Sequence, residues 1–211
     1  MEILKKFSSK ELRKMAFDTI SPVFTSQGFK KSDYNFRKEY RDGVFGFIGF
    51  GASSGGIYNT LFLNLHIGLE QINAFQLVRK LIESPNKTMG CNAWQGLYNI
   101  VPETDYFDYE WEIQNQSDAE KVRDILSSLL FQVIEPYFKE NCCMSMYKYN
   151  IIQGNYGIEM FKNIYTPVIY YLEGDKNKGL EYINNKIMTN PGKAYQDPLE
   201  KTFLKNYQML P

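Results

Sequence analysis

The chain has a single histidine, His66, among its 211 residues, and only three cysteines, Cys91, Cys142 and Cys143. One imidazole and no Cys-x-x-Cys pair exclude the usual structural zinc patterns and the multi-histidine metal centres within one chain. A small, odd number of thiols builds no disulfide framework, which fits a reducing compartment and reads the vicinal pair as two reduced thiols near a helix end. No stretch reaches the roughly 18 apolar residues that a membrane-spanning helix needs, and Met1–Ser9 contains no uninterrupted apolar run of the signal-peptide kind. A cytoplasmic location is therefore the expectation. Net charge is also lacking, because 24 Lys plus Arg balance 24 Asp plus Glu. That removes the global field that draws proteins onto nucleic acid or anionic membranes, while leaving room for a local patch. Catalytic signatures are missing too, with no Gly-x-Ser-x-Gly elbow and no His-Glu-x-x-His. Gly51-Ala52-Ser53-Ser54-Gly55-Gly56 lacks the Gly-Lys-Ser/Thr ending and the strand-to-helix passage of a phosphate cradle, and it reads as a hairpin loop. No catalytic residue, metal ligand or cofactor is assigned.

What is abundant is apolar and aromatic surface, at 44% and 16% of the residues, enough for a substantial core in one domain with an appendage. Leu12, Met15, Ala16, Ile20, Val23 and Phe24 recur at helical spacing, and Ser8 with Glu11 forms a capping box ahead of them. Pro22 predicts a kink near Thr19 or a fresh turn. Gly28 is placed to end that helix in the left-handed conformation. Beyond it Tyr34, Phe36 and Tyr40 alternate with Asn35, Arg37, Glu39 and Arg41. Strands are predicted over 34–41, 44–51 and 58–69, the first two joined by Asp42-Gly43, the dipeptide of a type I′ hairpin turn. Leu61, Leu63, Leu65, Ile67 and Leu69 mark one face of the third strand, with Phe62, Asn64, His66 and Gly68 on the other.

A helix over 71–83 stops before Ser84-Pro85-Asn86, and strands are predicted over 94–101 and 106–113. Ser117 and Glu120 have capping-box spacing ahead of an amphipathic helix through Val122, Leu126, Leu129, Val133 and Tyr137. The expected fold is α+β: a mainly antiparallel sheet of about five strands with helices on one face, spanning 1–139. Residues 140–211 are read as a connector (141–155) and a helical extension packed on the sheet domain, with helices over 156–172, 177–188 and 198–208. Ile158, Phe161, Ile164, Val168, Ile169 and Leu172 form one apolar stripe of that extension, and Leu180, Ile183 and Ile187 a second.

Several of these short motifs together resemble a bacterial family known only as a domain of unknown function. They are Gly28-Phe29-Lys30-Lys31, Arg37 with an aromatic on the first strand, Cys91-Asn92-Ala93-Trp94, Asp108-Tyr109-Glu110-Trp111 and Ile134-Glu135-Pro136-Tyr137. The resemblance covers residues 8–139 and implies a short α+β domain. It brings no reaction and no catalytic residues, and some members look like immunity or interaction proteins from their genomic settings. The part after Lys139 departs from the family pattern.

The polar positions of the strands supply the candidate surface: Arg37, Glu39 and Arg41 on the first, Asn64 and His66 on the third, and Asp108, Glu110 and Glu112 on the fifth. Such a face suits a non-enzymatic module that holds a protein partner, with aromatic residues as anchors. The alternative is a small-molecule-binding or hydrolytic enzyme in which His66 works beside those carboxylates. Neither nucleic acid nor membrane is an expected partner, and a second copy of the chain remains open.

Overall fold

Residues 7–55, 60–84, 93–96, 110–153 and 159–211 are described in the computed structural model. Ser8 caps helix α1 (Ser9–Thr25) through the expected box, its hydroxyl accepting from the Glu11 N–H while the Glu11 carboxylate accepts from the Ser8 N–H at 2.9 Å. Pro22 lies inside this helix without ending it. Gly28, at φ +86°, then turns the chain. The sheet follows: β1 (Lys30–Ser32), β2 (Asn35–Arg41), β3 (Val44–Gly55), β4 (Thr60–Gln71), β5 (Ala93–Gly96) and β6 (Glu110–Ile113). Its order is β1-β2-β3-β4-β5, with β6 also pairing β4. Asp42 and Gly43 have φ of 57° and 67°, the double positive φ that a type I′ turn demands.

The fold class is α+β, as the patterning implies. Among the described residues the sheet has six strands, and the additional one is β1, which pairs antiparallel with β2 (Lys31 opposite Phe36) across a turn at Asp33, φ 53°. Its three residues are all exposed and carry no alternation to read. The strand predicted over 44–51 continues through 52–55, residues expected as a loop. The predicted strands over 94–101 and 106–113 lie partly outside the described residues.

The chain divides into two interleaved units: Met1–Lys38, Gly46–Ile67 and Gln95–Glu140 in one, and Glu39–Phe45, Gly68–Trp94 and Asn141–Pro211 in the other. In the first, α1 packs on α3 (Gln116–Leu129). Its core holds Leu12, Ile20, Phe24, Phe36, Ile48, Leu61, Leu63, Ile113, Leu126 and Phe138. Helix α3 starts at Asn115 rather than Ser117, because the Asn115 side chain accepts from the Asp118 N–H at 3.1 Å and the Asp118 carboxylate accepts from the Gln114 N–H at 3.1 Å. Asparagine caps as well as serine and reaches the helix two residues earlier. The helix widens into a π segment, Leu130–Ile134, before α4 (Glu135–Asn141), with the Glu135 N–H donating to the Leu130 carbonyl. Pro136 explains the widening: its ring would press on the Gln132 carbonyl in a regular α-turn, and it has no N–H to donate. Gly46 lets Phe138 close on the sheet, since a Cβ there would lie 2.7 Å from the ring.

The second unit contains α2 (Ile72–Leu81), α5 (Met144–Gln153), α6 (Glu159–Leu172), α7 (Lys176–Thr189) and α8 (Pro198–Gln208). Helix α5 occupies the stretch expected as a connector. It buries only Tyr147, Asn150 and Ile151, a stripe too narrow to stand out from its polar neighbours. Helix α6 is central, packing on α2, α5, α7 and α8, and every residue from Asn163 to Ile169 is buried. Of the single stripe expected there, Ile164, Val168 and Ile169 belong to this all-round burial, Phe161 is half-buried, Leu172 at the helix end is exposed, and Ile158 lies outside the described residues. On α7 Ile183 is buried but Ile187 is exposed, and at Gly179 the helix comes so near α6 that a Cβ would lie 3.1 Å from the Pro167 carbonyl oxygen. Among the described residues no helix is long and apolar enough to cross a membrane.

Pro167 sits inside α6 and cannot donate to the carbonyl of Asn163, four residues earlier. The buried Tyr195 hydroxyl donates to that carbonyl instead, at 2.7 Å. Replacing Tyr195 by Phe leaves a buried acceptor unpaired and is expected to lower stability by about 1–3 kcal/mol, read as a lower urea midpoint with an unchanged slope. An unchanged midpoint would show that the carbonyl has another donor.

Candidate functional site

Phe36 points from β2 into the core, so Asn35 and Arg37 project from the opposite face of the sheet. The Arg37 guanidinium lies 5.5 Å from the Phe47 ring centroid, a cation–π contact that steadies it over β3. On β4, Leu61, Leu63, Leu65 and Ile67 are buried while Phe62, Asn64 and His66 are half-buried on the other face. Strand β6 runs antiparallel to β4 with Asn64 opposite Glu110 and Phe62 opposite Glu112. Both glutamates are exposed, and their alternates Trp111 and Ile113 are buried.

Space on this face is set by glycine. A Cβ on Gly49 would lie 2.8 Å from the Phe47 ring and 3.1 Å from the Asn35 amide oxygen, and one on Gly51 would collide with the Asn64 carboxamide. The Asn64 Oδ1 is buried and has no hydrogen-bond partner among the described residues. Burial pushes the His66 pKa below its ordinary value of 6.5, because desolvation penalises the imidazolium.

Asn64, His66, Glu110 and Glu112 thus share one face of paired strands. Asp108 lies outside the described residues. Glu39 and Arg41, expected on the same surface as Arg37, are exposed and belong to the other unit. Cys142 and Cys143, at the junction of α4 and α5, are not joined in a disulfide among the described residues, and Cys91 lies outside them. Among the described residues no group of three or more His, Cys, Asp or Glu could hold a metal ion.

A second feature is a cleft of about 580 Å³ whose walls include Lys10, Arg13, Lys14 and Phe17 of α1, Lys31 of β1, Tyr34 and Ser54. The first four stand at i, i+3, i+4 and i+7, one face of a helix. That spacing is visible in the sequence. Lys31 and Tyr34 reach the same place through the turn that follows β1, the strand too short to read from alternation.

A family model described as Domain of unknown function (DUF4304) matches residues 20–140. The match spans more than half of the chain, and the chain belongs to that family. It includes the sheet face and stops where the C-terminal helical region begins. No curated protein and no solved structure matches the chain.

With one histidine in the sequence, the His66 ring can be followed alone by NMR. Its titration midpoint is expected below 6.5, and a midpoint at or above that value would contradict the burial described. The unfolded chain then binds the proton more readily than the native one. Stability is therefore complete above pH 6.5 and falls as pH drops through the lowered native value. His66→Gln should remove that part of the pH dependence.

Proposed function

We propose that this family member is a binding module without acid-base chemistry of its own, which holds a basic protein partner against the sheet face around Asn64, Glu110 and Glu112. The observation that supports this reading best is the register of β4 and β6. Glu110 and Glu112 stand opposite Asn64 and Phe62, so among the described residues no candidate carboxylate is the direct cross-strand neighbour of His66. A general base works best with a pKa near the operating pH, and burial moves His66 the other way. The same face suits recognition. Two exposed carboxylates stand beside the half-buried Phe62. Carboxylates at a rim steer and orient a basic partner, while the aromatic edge supplies buried area.

The test is affinity capture from the native host with the full chain as bait, quantified by mass spectrometry. Glu110→Lys combined with Glu112→Lys is expected to reduce capture of the specific partner at least tenfold, and His66→Ala to leave it unchanged. An enzyme centred on His66 would instead lose roughly 10² to 10⁴ in rate on the His66 change. Capture indifferent to the charge reversal would overturn the assignment of this face.

A further inference from the structure

We propose that the cleft between α1 and the β1–β2 turn is a binding site for a small phosphate-bearing ligand, a function separate from the sheet face and not dependent on it. Four cationic side chains, Lys10, Arg13, Lys14 and Lys31, line it against one carboxylate, Asp18. In a chain whose formal charge sums to zero, this is a concentration of one sign. Of these four, Lys14 is ion-paired, bonded to Asp18 at 2.6 Å. Among the described residues Lys10, Arg13 and Lys31 have no ion-pair partner. Asp18 is held below the usual carboxylate range by the Lys14 hydrogen bond and by the Lys14 and Lys31 charges, so it stays ionised and offsets the charge of one lysine, leaving an excess of three cations on the wall.

Arg13 is set in place before any ligand arrives. One end of its guanidinium donates to the Ala52 carbonyl at 3.2 Å. Its centre lies 5.5 Å from the Tyr34 ring centroid. Tyr34 is itself braced by Phe17, ring centroids 4.4 Å apart. A guanidinium tethered at one end keeps its remaining N–H groups in a fixed fork, the geometry that matches two oxygens of a phosphoryl group. Lys10 and Lys31 add ammonium donors from two different elements, and the Ser54 hydroxyl lies on the wall. The volume of about 580 Å³ falls within the range of small-ligand sites and exceeds what one inorganic anion fills. Phe17 and Arg13 both contact the Tyr34 ring, so the ring's part in the cleft is to position the guanidinium, and recognition rests on the anionic group.

Isothermal titration of the full chain with inorganic pyrophosphate at low ionic strength provides the test. The expected result is one-to-one binding that weakens as salt is raised. It should weaken at least tenfold in Lys10→Gln combined with Lys31→Gln. Both positions are exposed, so the fold should survive, which circular dichroism checks. Lys201→Gln, an exposed lysine on α8, should leave binding unchanged. Absence of pyrophosphate binding would overturn the proposal. So would binding that is indifferent to the double change or equally sensitive to the Lys201 change. Association with anionic lipid vesicles or single-stranded RNA in the absence of pyrophosphate binding would overturn it as well, because the site would then belong to a macromolecular surface.

Discussion

The first unit depends on a cluster of aromatic rings built around Phe24. Its ring centroid lies 4.7 Å from that of Phe36 on β2, 5.8 Å from Phe50 on β3 and 6.2 Å from Phe29 just beyond the helix. Phe17, two turns earlier on α1, meets Phe50 edge-on at 5.6 Å. Tilted and edge-to-face pairs of this kind add to the area they bury. The effect is to fasten α1 to the two strands of the hairpin at two heights. Phe29 carries the cluster on to Phe138 of α4, where Lys38 and the buried Glu135 are paired at 2.6 Å.

Fixing one face of α1 fixes the other. With Phe24, Ile20 and Leu12 held inward, the helical repeat leaves Lys10, Arg13 and Lys14 beside the β1–β2 turn, where Lys31 and Tyr34 stand. Phe17 serves both sides, contacting Phe50 in the core and Tyr34 at the cleft. The same logic governs the sheet. Because Phe36, Ile48, Leu61, Leu63 and Trp111 point toward the core, their alternates, from Arg37 to Asn64 and Glu110, must share the opposite face. The polar face is thus a geometric consequence of the apolar one.

Elements governed by local rules were legible in the sequence. The Ser8 box, Gly28, the Asp42-Gly43 turn and the alternation from Leu61 to Leu69 each depend on chemistry within a few residues, and the sheet and most helices followed from them. The parts that could not be read depend on longer reach. Strand β1 exists because β2 offers it a partner, and α5 because its narrow stripe finds a surface. The π segment is a response to Pro136, whose effect on the turn before it does not appear in any periodicity. Of the candidate residues, Asn64, Glu110 and Glu112 were placed together by parity alone. The offset of His66 needed the register, which parity does not supply. The cations of α1 were visible as a helical row, but the row alone does not reveal that Lys31 faces it.

Native-state hydrogen exchange under rising urea tests the central claim, that the Phe24 cluster makes α1 and the β2–β3 hairpin one cooperative piece. Amides of α1 between Leu12 and Phe24 and those of β2 and β3 around Phe36 and Phe50 should open together with a common free energy. Phe24→Ala should lower both by a similar amount, about 3–5 kcal/mol. Exchange of α1 through its own low-energy opening, with β2 and β3 still protected and unaffected by the Phe24 change, would contradict the account.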